Sequence, residues 1–287
     1  METLRKKHIK LPKRKKDSHK GDNGYVLCIG GSREFTGAII LAGLAALRSG
    51  CDLVKVAAPE KVAWAINAYS PDLITMKLKG DYLDINHSYE ILKETEKHDV
   101  VLIGNGIAYN EQTSKFVNFI IKKIKKPLVI DADAIKMLNL GEISNAIITP
   151  HAKELEILLR NSGYRKLNAI KDMEKKAKEL SKLRYLGNNV IVIKGAIDYI
   201  VAAGKVFKNK TGNPGMTKAG TGDVLAGLCA GFLAQEKKRN LLQAAINAAY
   251  YNGLIGDILL KKKKGYSFLA SDMVEEIGRI SKIKTKI

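Results

Sequence analysis

The sequence contains no long apolar run and few cysteines. Its longest apolar stretches, such as residues 224–234, fall well short of the roughly 20 residues that span a bilayer, so no membrane-spanning segment is expected. The basic N-terminus lacks the apolar core of a secretory signal, which predicts a cytoplasmic location. Cys28, Cys51 and Cys229 form no CxxC pair and have no zinc-type spacing, which favours buried, reduced thiols.

Acidic residues are scarce relative to basic ones. The chain has 29 Asp and Glu against 49 Lys and Arg, a formal net charge of +20, and such a field attracts anions. The lysines occur in short runs without interleaved aromatics or a nucleic-acid-binding motif. Small phosphorylated ligands are therefore expected as partners instead of nucleic acid or membrane, and most lysines also suit a solvated surface.

Short apolar segments alternate with segments of helical length. Strand patterns occur at residues 25–31, 52–59, 72–78, 99–104, 126–131 and 145–150. Wholly apolar strands separated by helices predict a parallel sheet covered on both faces. Residues 189–209 indicate three more strands, antiparallel at one edge. We therefore expect a doubly wound, mostly parallel α/β fold, with one domain over residues 21–287 after a basic segment, 1–20.

The glycine-rich loop 30–37 follows a strand and precedes a helix, as a phosphate-binding loop would. It lacks the GK[ST] ending of a Walker loop, however, and neither this loop nor residues 104–110 completes a GxGxxG motif. Ligand contact and a tight turn that needs glycine for backbone reasons both remain open for it.

The stretch AGTGDVLAG, residues 219–227, is more specific. Gly220 and Gly222 permit a turn whose N–H groups, with that of Thr221, point into one cavity at the positive end of a helix. Asp223 would interact favourably with the positive end of the helix macrodipole. A capping serine would also stabilise the helix start, however, without placing a charge where anions bind. In phosphoryl transfer, Asp223 would accept a hydroxyl proton while these amides stabilise the moving group.

The ordered motifs of the chain resemble those of the ribokinase-like superfamily. More narrowly, the sequence is similar to ADP- or ATP-dependent NAD(P)H-hydrate dehydratases in the stretches 17–32, 36–50, 103–107, 129–135, 148–158, 190–195 and 213–227. The resemblance covers nearly the whole chain. It implies a hydro-lyase that uses ADP or ATP with Mg²⁺ to phosphorylate hydrated NADH or NADPH and eliminate phosphate. It also implies a homo-oligomer, often a tetramer; a vitamin-precursor or sugar kinase is the alternative.

The resemblance also assigns ligand contacts to individual residues. The hydrated nicotinamide nucleotide would lie against Ala38, Gly106, His151 and Asp223. The ADP or AMP would lie along Lys194, Gly195, Ala196, Ile197 and Asp198, and at Gly222. Lys194 would hold a phosphate, although an edge lysine with its head in solvent is also consistent with the sequence. Asp131 and Asp133 suit Mg²⁺ waters or a ligand, and Asp133 equally suits a helix start, so no metal ligand is assigned.

Two positions depart from the pattern that the family often shows. Asn105 stands where proline is frequent and is expected to preserve the turn, and Lys153 stands where glycine is frequent and adds a positive charge. The remaining histidines, His8, His19, His87 and His98, lie in charged or polar stretches and are expected to face solvent. Because the sequence starts directly at the dehydratase-like portion, epimerase activity is not expected.

Overall fold

The structure, a computed structural model, describes residues 1–279. Its strands are β1 (Glu2–Thr3), β2 (Tyr25–Ile29), β3 (Leu53–Pro59), β4 (Ile74–Leu78), β5 (Val100–Ile103), β6 (Leu128–Ile130), β7 (Ala146–Ile148), β8 (Val190–Ile193), β9 (Asp198–Ala202) and β10 (Lys205–Asn209). Its α-helices are α1 (Thr36–Arg48), α2 (Glu60–Tyr69), α3 (Ser88–Thr95), α4 (Glu111–Lys123), α5 (Asp133–Lys136), α6 (Ala152–Asn161), α7 (Arg165–Asn168), α8 (Met173–Leu180), α9 (Thr221–Gln235), α10 (Leu241–Lys262) and α11 (Ala270–Ile277). Residues 280–287 of the predicted domain lie outside the described residues.

The strands form one sheet in the order β1-β10-β9-β8-β7-β6-β5-β2-β3-β4. The seven strands from β8 to β4 in this order pair in parallel. By contrast, β9 is antiparallel to both β8 and β10. The doubly wound α/β fold with antiparallel strands at one edge, expected from the sequence, is confirmed.

Helices cover both faces of the sheet. In β2, Val26 and Cys28 belong to the core beneath α1, α9 and α10, whereas Leu27 and Ile29 belong to the core beneath α4 and α6. All four side chains are fully buried. A strand covered on both faces needs an apolar residue at every position, which explains the continuous apolar runs of the sequence. The three cysteines are free and buried, as predicted.

The order of strand addition reverses at β2, which has β3 on one side and β5 on the other. In an open parallel sheet, the crevice at such a reversal lies between the loops that follow the two central strands. Here these loops follow β2 and β5. They are joined by the N–H of Gly31, which donates to the carbonyl of Asn105 at 2.9 Å.

The basic N-terminal segment is attached to the rest of the fold. Strand β1 pairs in parallel with β10, and Leu4 is part of the hydrophobic core. The N–H of Lys10 donates to Asn247 Oδ1 at 3.1 Å, and Asn247 Nδ2 donates to the Lys10 carbonyl at 2.8 Å. The first ten residues therefore pack on the domain, and a boundary at residue 20 stays a prediction.

Two histidines expected at the surface are instead buried. His87 is 8% exposed and His98 is 3% exposed, so the expectation is wrong for both. The N–H of Asp84 donates to His87 Nδ1 at 3.0 Å. His98 Nδ1 lies 2.8 Å from the Glu94 carbonyl oxygen, and burial lowers the pKa of His98. Local hydrogen bonds replace part of the water that each imidazole gives up.

Helix α9 packs closely against α1 because glycines replace side chains at the contact. A Cβ on Gly227 would collide with the Ala42 carbonyl and would lie 2.8 Å from Ala45 Cβ. A Cβ on Gly231 would likewise collide with α1. This contact places the start of α9 above the carboxyl edge of the sheet. No helix within residues 1–279 is long and apolar enough to cross a membrane.

We predict that Gly227→Ala destabilises the protein by about 1–3 kcal/mol, because the new methyl group overpacks the α1–α9 contact. The control is Gly37→Ala in α1, where an added Cβ would meet no neighbouring atom within 4 Å. Alanine favours a helix over glycine, so this control should raise stability by up to about 1 kcal/mol. Urea unfolding measures both variants, and equal stabilities would contradict the close contact.

Candidate active site

The candidate site surrounds the start of α9 at the carboxyl edge of the sheet. Gly220 precedes the helix with a left-handed φ of 94°, and a side chain there would strike neighbouring side chains. Thr221 Oγ1 lies 2.7 Å from the Met216 carbonyl oxygen and 3.0 Å from that of Lys218, and its one O–H ties the helix start to the preceding turn. The first-turn amides have no acceptor within the helix. The turn therefore has the geometry that an anion-binding loop needs.

Asp223 lies in this first turn and faces a second carboxylate. Asn105 Nδ2 donates to Asp223 Oδ1 at 2.6 Å and to Asp131 Oδ2 at 2.9 Å. Burial and the nearby Asp131 raise the pKa of Asp223 to about 7, whereas Asn105 and Lys194 favour its charged form. A carboxyl group with this pKa exists as both acid and base near neutral pH, which suits a general base.

Lys194 neutralises Asp131 at the neighbouring strand ends. Its Nζ lies 2.8 Å from Asp131 Oδ1 and 3.8 Å from Glu154 Oε2. Burial disfavours the ammonium, but the two carboxylates prevail and raise the pKa of Lys194 above its usual value. Thr149 Oγ1 also donates to Asp131 Oδ1, at 2.8 Å. Lys194 is therefore a fixed internal cation, and the alternative of an edge lysine with its head in solvent is wrong.

Ala38 and Gly106, two of the predicted substrate contacts, are neighbours across the β2–β5 crevice. Gly106 has a φ of 67°, and a Cβ on it would lie 3.3 Å from Ala38 Cβ and would collide with the Phe35 carbonyl. The preceding residue, Asn105, contacts Asp223. The structure thus brings Ala38, Gly106 and Asp223 to one side of the site, although they are far apart in sequence.

A cavity of about 460 Å³ extends from Lys194 and Gly222 to α10, a volume within the usual range for small-molecule sites. Its wall contains these predicted residues: His151, Lys194, Gly195, Ala196, Asp198 and Gly222. Ile197 instead packs against the hydrophobic core. The wall also includes Met216, Leu225 and Asn252, which the sequence analysis missed. Met216 and Leu225 lie in the stretch 213–227 around the glycine loop, whereas Asn252 lies on α10, far from that loop in sequence.

Two of the predicted contact residues also organise the backbone. His151 caps α6, because its Nδ1 accepts from the N–H groups of Lys153 at 3.2 Å and Glu154 at 3.3 Å. Its side chain is nevertheless 49% exposed. Asp198 Oδ1 accepts from the Gly195 N–H at 3.1 Å, and burial raises the pKa of Asp198 to about 6. Both residues shape the cavity wall, and direct ligand contact stays a prediction for each.

The sequence left two roles open for Asp133, a contact with Mg²⁺ waters or a ligand and the start of a helix. The structure shows the helix start. Helix α5 begins at Asp133, whose carboxylate accepts from Lys136 Nζ at 2.6 Å. In the described part of the chain, no group of three or more His, Cys, Asp or Glu side chains is arranged to hold a metal ion. A Mg²⁺ ion at this site would therefore need nucleotide phosphates and water among its ligands.

The sequence analysis missed the polar network behind Asp223. Asn105 was assigned only a turn, and neither Thr149 nor Glu154 was considered. Asn105 and Thr149 lie within two residues of the ends of β5 and β7, and Glu154 lies in the first turn of α6. Polar residues directly after parallel strands must meet at one edge of the sheet, and that position is the signal that would have identified them.

The chain is similar to proteins of one enzyme family along nearly its whole length. It is 36% identical over 276 residues to the ADP-dependent (S)-NAD(P)H-hydrate dehydratase of Cenarchaeum symbiosum, covering 95% of this chain and 93% of that protein. It is 39% identical over 280 residues to the bifunctional NAD(P)H-hydrate repair enzyme of Methanothermobacter thermautotrophicus, covering 95% of this chain but only 52% of that protein. The chain thus spans about half the length of the latter relative.

A solved structure shows the same relationship. The ADP/ATP-dependent NAD(P)H-hydrate dehydratase of Bacillus subtilis, co-crystallized with ATP and Mg²⁺, superposes with a TM-score of 0.77 at 27% identity, covering 95% of this chain and 94% of that one. In addition, the family model described as NAD(P)H-hydrate dehydratase matches residues 26–279. Together with the arrangement around Asp223, these matches show that the chain belongs to the NAD(P)H-hydrate dehydratase family.

Proposed function

We propose that this chain is an ADP-dependent (S)-NAD(P)H-hydrate dehydratase, which restores NADH or NADPH from their hydrated forms. The observation that carries the proposal is the position of Asp223. Its carboxylate accepts a hydrogen bond from Asn105, the neighbour of Gly106 in the crevice, and the residue before it, Gly222, lines the cavity. A ligand in the crevice and a second ligand in the cavity would therefore meet at Asp223. The name of the Cenarchaeum relative supports ADP as donor and the S epimer as substrate.

The first step is phosphoryl transfer to the hydroxyl of the hydrated ring. Asp223 accepts the hydroxyl proton while the oxygen attacks the terminal phosphorus of ADP. The bond between that phosphorus and the bridging oxygen breaks, and AMP leaves with its electrons. The first-turn amides of α9 and the ammonium of Lys194 stabilise the charge on the moving group.

The second step is elimination of phosphate from the ring. The ring nitrogen donates its electron pair as the carbon–oxygen bond to phosphate breaks, and the adjacent ring carbon then releases a proton to form the double bond. Lys194 and the α9 amides hold the departing phosphate where they held the transferring group. The products are NAD(P)H, AMP, phosphate and a proton, and no oxidant or reductant is consumed.

Mg²⁺ would enter with the nucleotide, since the described residues include no three-residue metal site of their own. Bound to the phosphates, it would neutralise charge during transfer.

The free, buried cysteines support a reducing, cytoplasmic setting. Large apolar side chains are exposed on α2 and the edge strand β4, namely Trp64, Tyr69 and Ile74. Exposed apolar patches often mark protein–protein contacts, which supports a homo-oligomer.

The direct test is incubation of the purified protein with the S form of NADPHX, Mg²⁺ and either ADP or ATP. We expect nicotinamide absorbance to return with ADP, together with one AMP and one phosphate for each NADPH formed. Nucleotide analysis by chromatography checks the ratio. No recovery with either nucleotide would refute the proposal, and a stable phosphorylated product would favour the small-molecule kinase.

We predict that Asp223→Asn lowers kcat by about 10²–10⁴-fold, the usual contribution of a general base. ADP should bind as tightly as to the wild type or more tightly, because the change removes a negative charge near its phosphates. Asp172→Asn is the matched control: Asp172 caps α8 by accepting from the Lys175 N–H at 2.7 Å, and asparagine caps equally well. Full activity in Asp223→Asn would show that Asp223 is not the base.

We also predict that kcat/KM rises with pH and levels off above about pH 7. The burial-raised pKa of Asp223 means that its ionised form, which accepts the proton, predominates only above that value. On the acidic side the rate should fall about tenfold per pH unit. Initial rates with excess Mg²⁺, which keeps ADP in one ionic form, test this dependence. A flat profile through the acidic range would contradict the assignment.

A further inference from the structure

Asn105 is wholly buried between two carboxylates, at 0% exposure. Its Nδ2 donates to Asp223 Oδ1 at 2.6 Å and to Asp131 Oδ2 at 2.9 Å. Since ionised carboxylate oxygens only accept hydrogen bonds, the NH₂ group of the amide must face them. The orientation of the Asn105 side chain therefore follows from its two partners.

The backbone around Asn105 has little freedom. Gly104 and Gly106 have φ values of 124° and 67°, and a side chain on either would collide with the backbone of a neighbouring loop. The Asn105 carbonyl accepts from the Gly31 N–H at 2.9 Å. These contacts fix the main chain, so the amide group reaches Asp223 from a rigid base.

Asp131, the second carboxylate that Asn105 contacts, is also held in place by its neighbours. Asp131 is 1% exposed and accepts from both Thr149 and Lys194 at 2.8 Å. Asn105 therefore ties Asp223 to a side chain that cannot turn away. The two hydrogen bonds from Asn105 offset part of the repulsion between the two acidic groups and hold the Asp223 carboxylate in one orientation.

Within the described chain, the side chain of Asn105 makes its hydrogen bonds through the NH₂ group alone. Asn105 Oδ1 is buried and has no hydrogen-bond partner among the residues that the structure describes. A buried amide kept only for stability normally satisfies its carbonyl as well as its NH₂ group. Here the only hydrogen bonds of the side chain, in the described part of the protein, are those to the carboxylates.

We propose that Asn105 is a positioning residue for Asp223, which it holds in the direction of the substrate and keeps ionisable beside Asp131. The charged groups that face Asp223 are Asp131 after β6, Lys194 after β8 and Glu154 on α6. The two acids favour its protonated form, whereas Lys194 and Asn105 favour the ionised form. Only Asn105 donates a hydrogen bond to Asp223 within residues 1–279. The catalytic consequence rests on the proposed function, but the effect on ionisation does not.

The test compares Asn105→Ala with a matched control, Asn189→Ala. Asn189 is also buried, and its side chain bonds Ala146 at 3.0 Å and Ile143 at 2.8 Å at the opposite end of the strands. Both variants remove two buried hydrogen bonds, but only the first touches Asp223. The pKa of Asp223 is measured by NMR of ¹³C-labelled aspartate carboxyls, with the signal assigned through Asp223→Asn.

In Asn105→Ala the pKa of Asp223 should rise by about one to two pH units, because a donor to the charged form is lost. In Asn189→Ala it should not change. An unchanged pKa in Asn105→Ala, or an equal rise in both variants, would overturn the proposal. If Asn105→Ala does not fold, Asn105→Ser is tested instead. Because the serine hydroxyl can donate one hydrogen bond, we expect a smaller rise in the pKa of Asp223. An unchanged pKa would contradict the proposal.

Kinetics give an independent readout of the same residue. The acidic limb of the kcat/KM profile should move to higher pH by the amount that NMR measures. At pH 7, kcat should fall about 5- to 50-fold, while KM for ADP stays within about threefold. A purely structural role would leave the pH profile in place. If the wild type shows no turnover at all, the proposed function fails, and the NMR titration still decides the role of Asn105.

Discussion

A line of four side chains crosses the carboxyl edge of the sheet: Lys194, Asp131, Asn105 and Asp223. Along it a cation, an anion, a hydrogen-bond donor and a second anion follow one another. Asp131 therefore has a cation on one side and a donor on the other, whereas Asp223 has, among the residues that the structure describes, only the donor. One lysine cannot neutralise Asp131, Glu154 and Asp223 together. Asp223 ends the line, and burial beside Asp131 raises its pKa to about 7. The basicity of the site depends on this imbalance.

Backbone geometry makes this line possible. The loops after β2 and β5 meet where the order of strand addition reverses. The loop after β5 lies so close to the loop after β2 at Gly106, and to the loop after β6 at Gly104, that neither glycine has space for a side chain. The start of α9 is held above them by the glycine contacts with α1. A sheet of this topology therefore supplies a rigid frame, and a few polar residues at the strand ends supply the chemistry.

Much of the architecture follows from local pattern. Continuous apolar strands, segments of helical length and the strand patterns in residues 189–209 predicted the sheet and its antiparallel edge, because each depends on neighbouring residues. Asp223 was recognisable for the same reason, since its glycines and helix lie beside it in sequence. His87 and His98 were misjudged because their surroundings are polar in sequence but enclosed in space. The resemblance to a family predicted Ala38, Gly106 and His151 as substrate contacts, which stay predictions.

The sequence by itself determined the α/β fold, the glycine turn before α9 and the identity of the carboxylate at the start of that helix. Only the tertiary structure decided the partners of that carboxylate. Asn105 lies 118 positions from Asp223, and Asp131 lies 63 positions from Lys194, so no local pattern connects them. Hydrogen bonding and charge balance act over a few ångströms of space. Folding of the parallel strands brings these residues within that distance and raises the pKa of Asp223 to about 7.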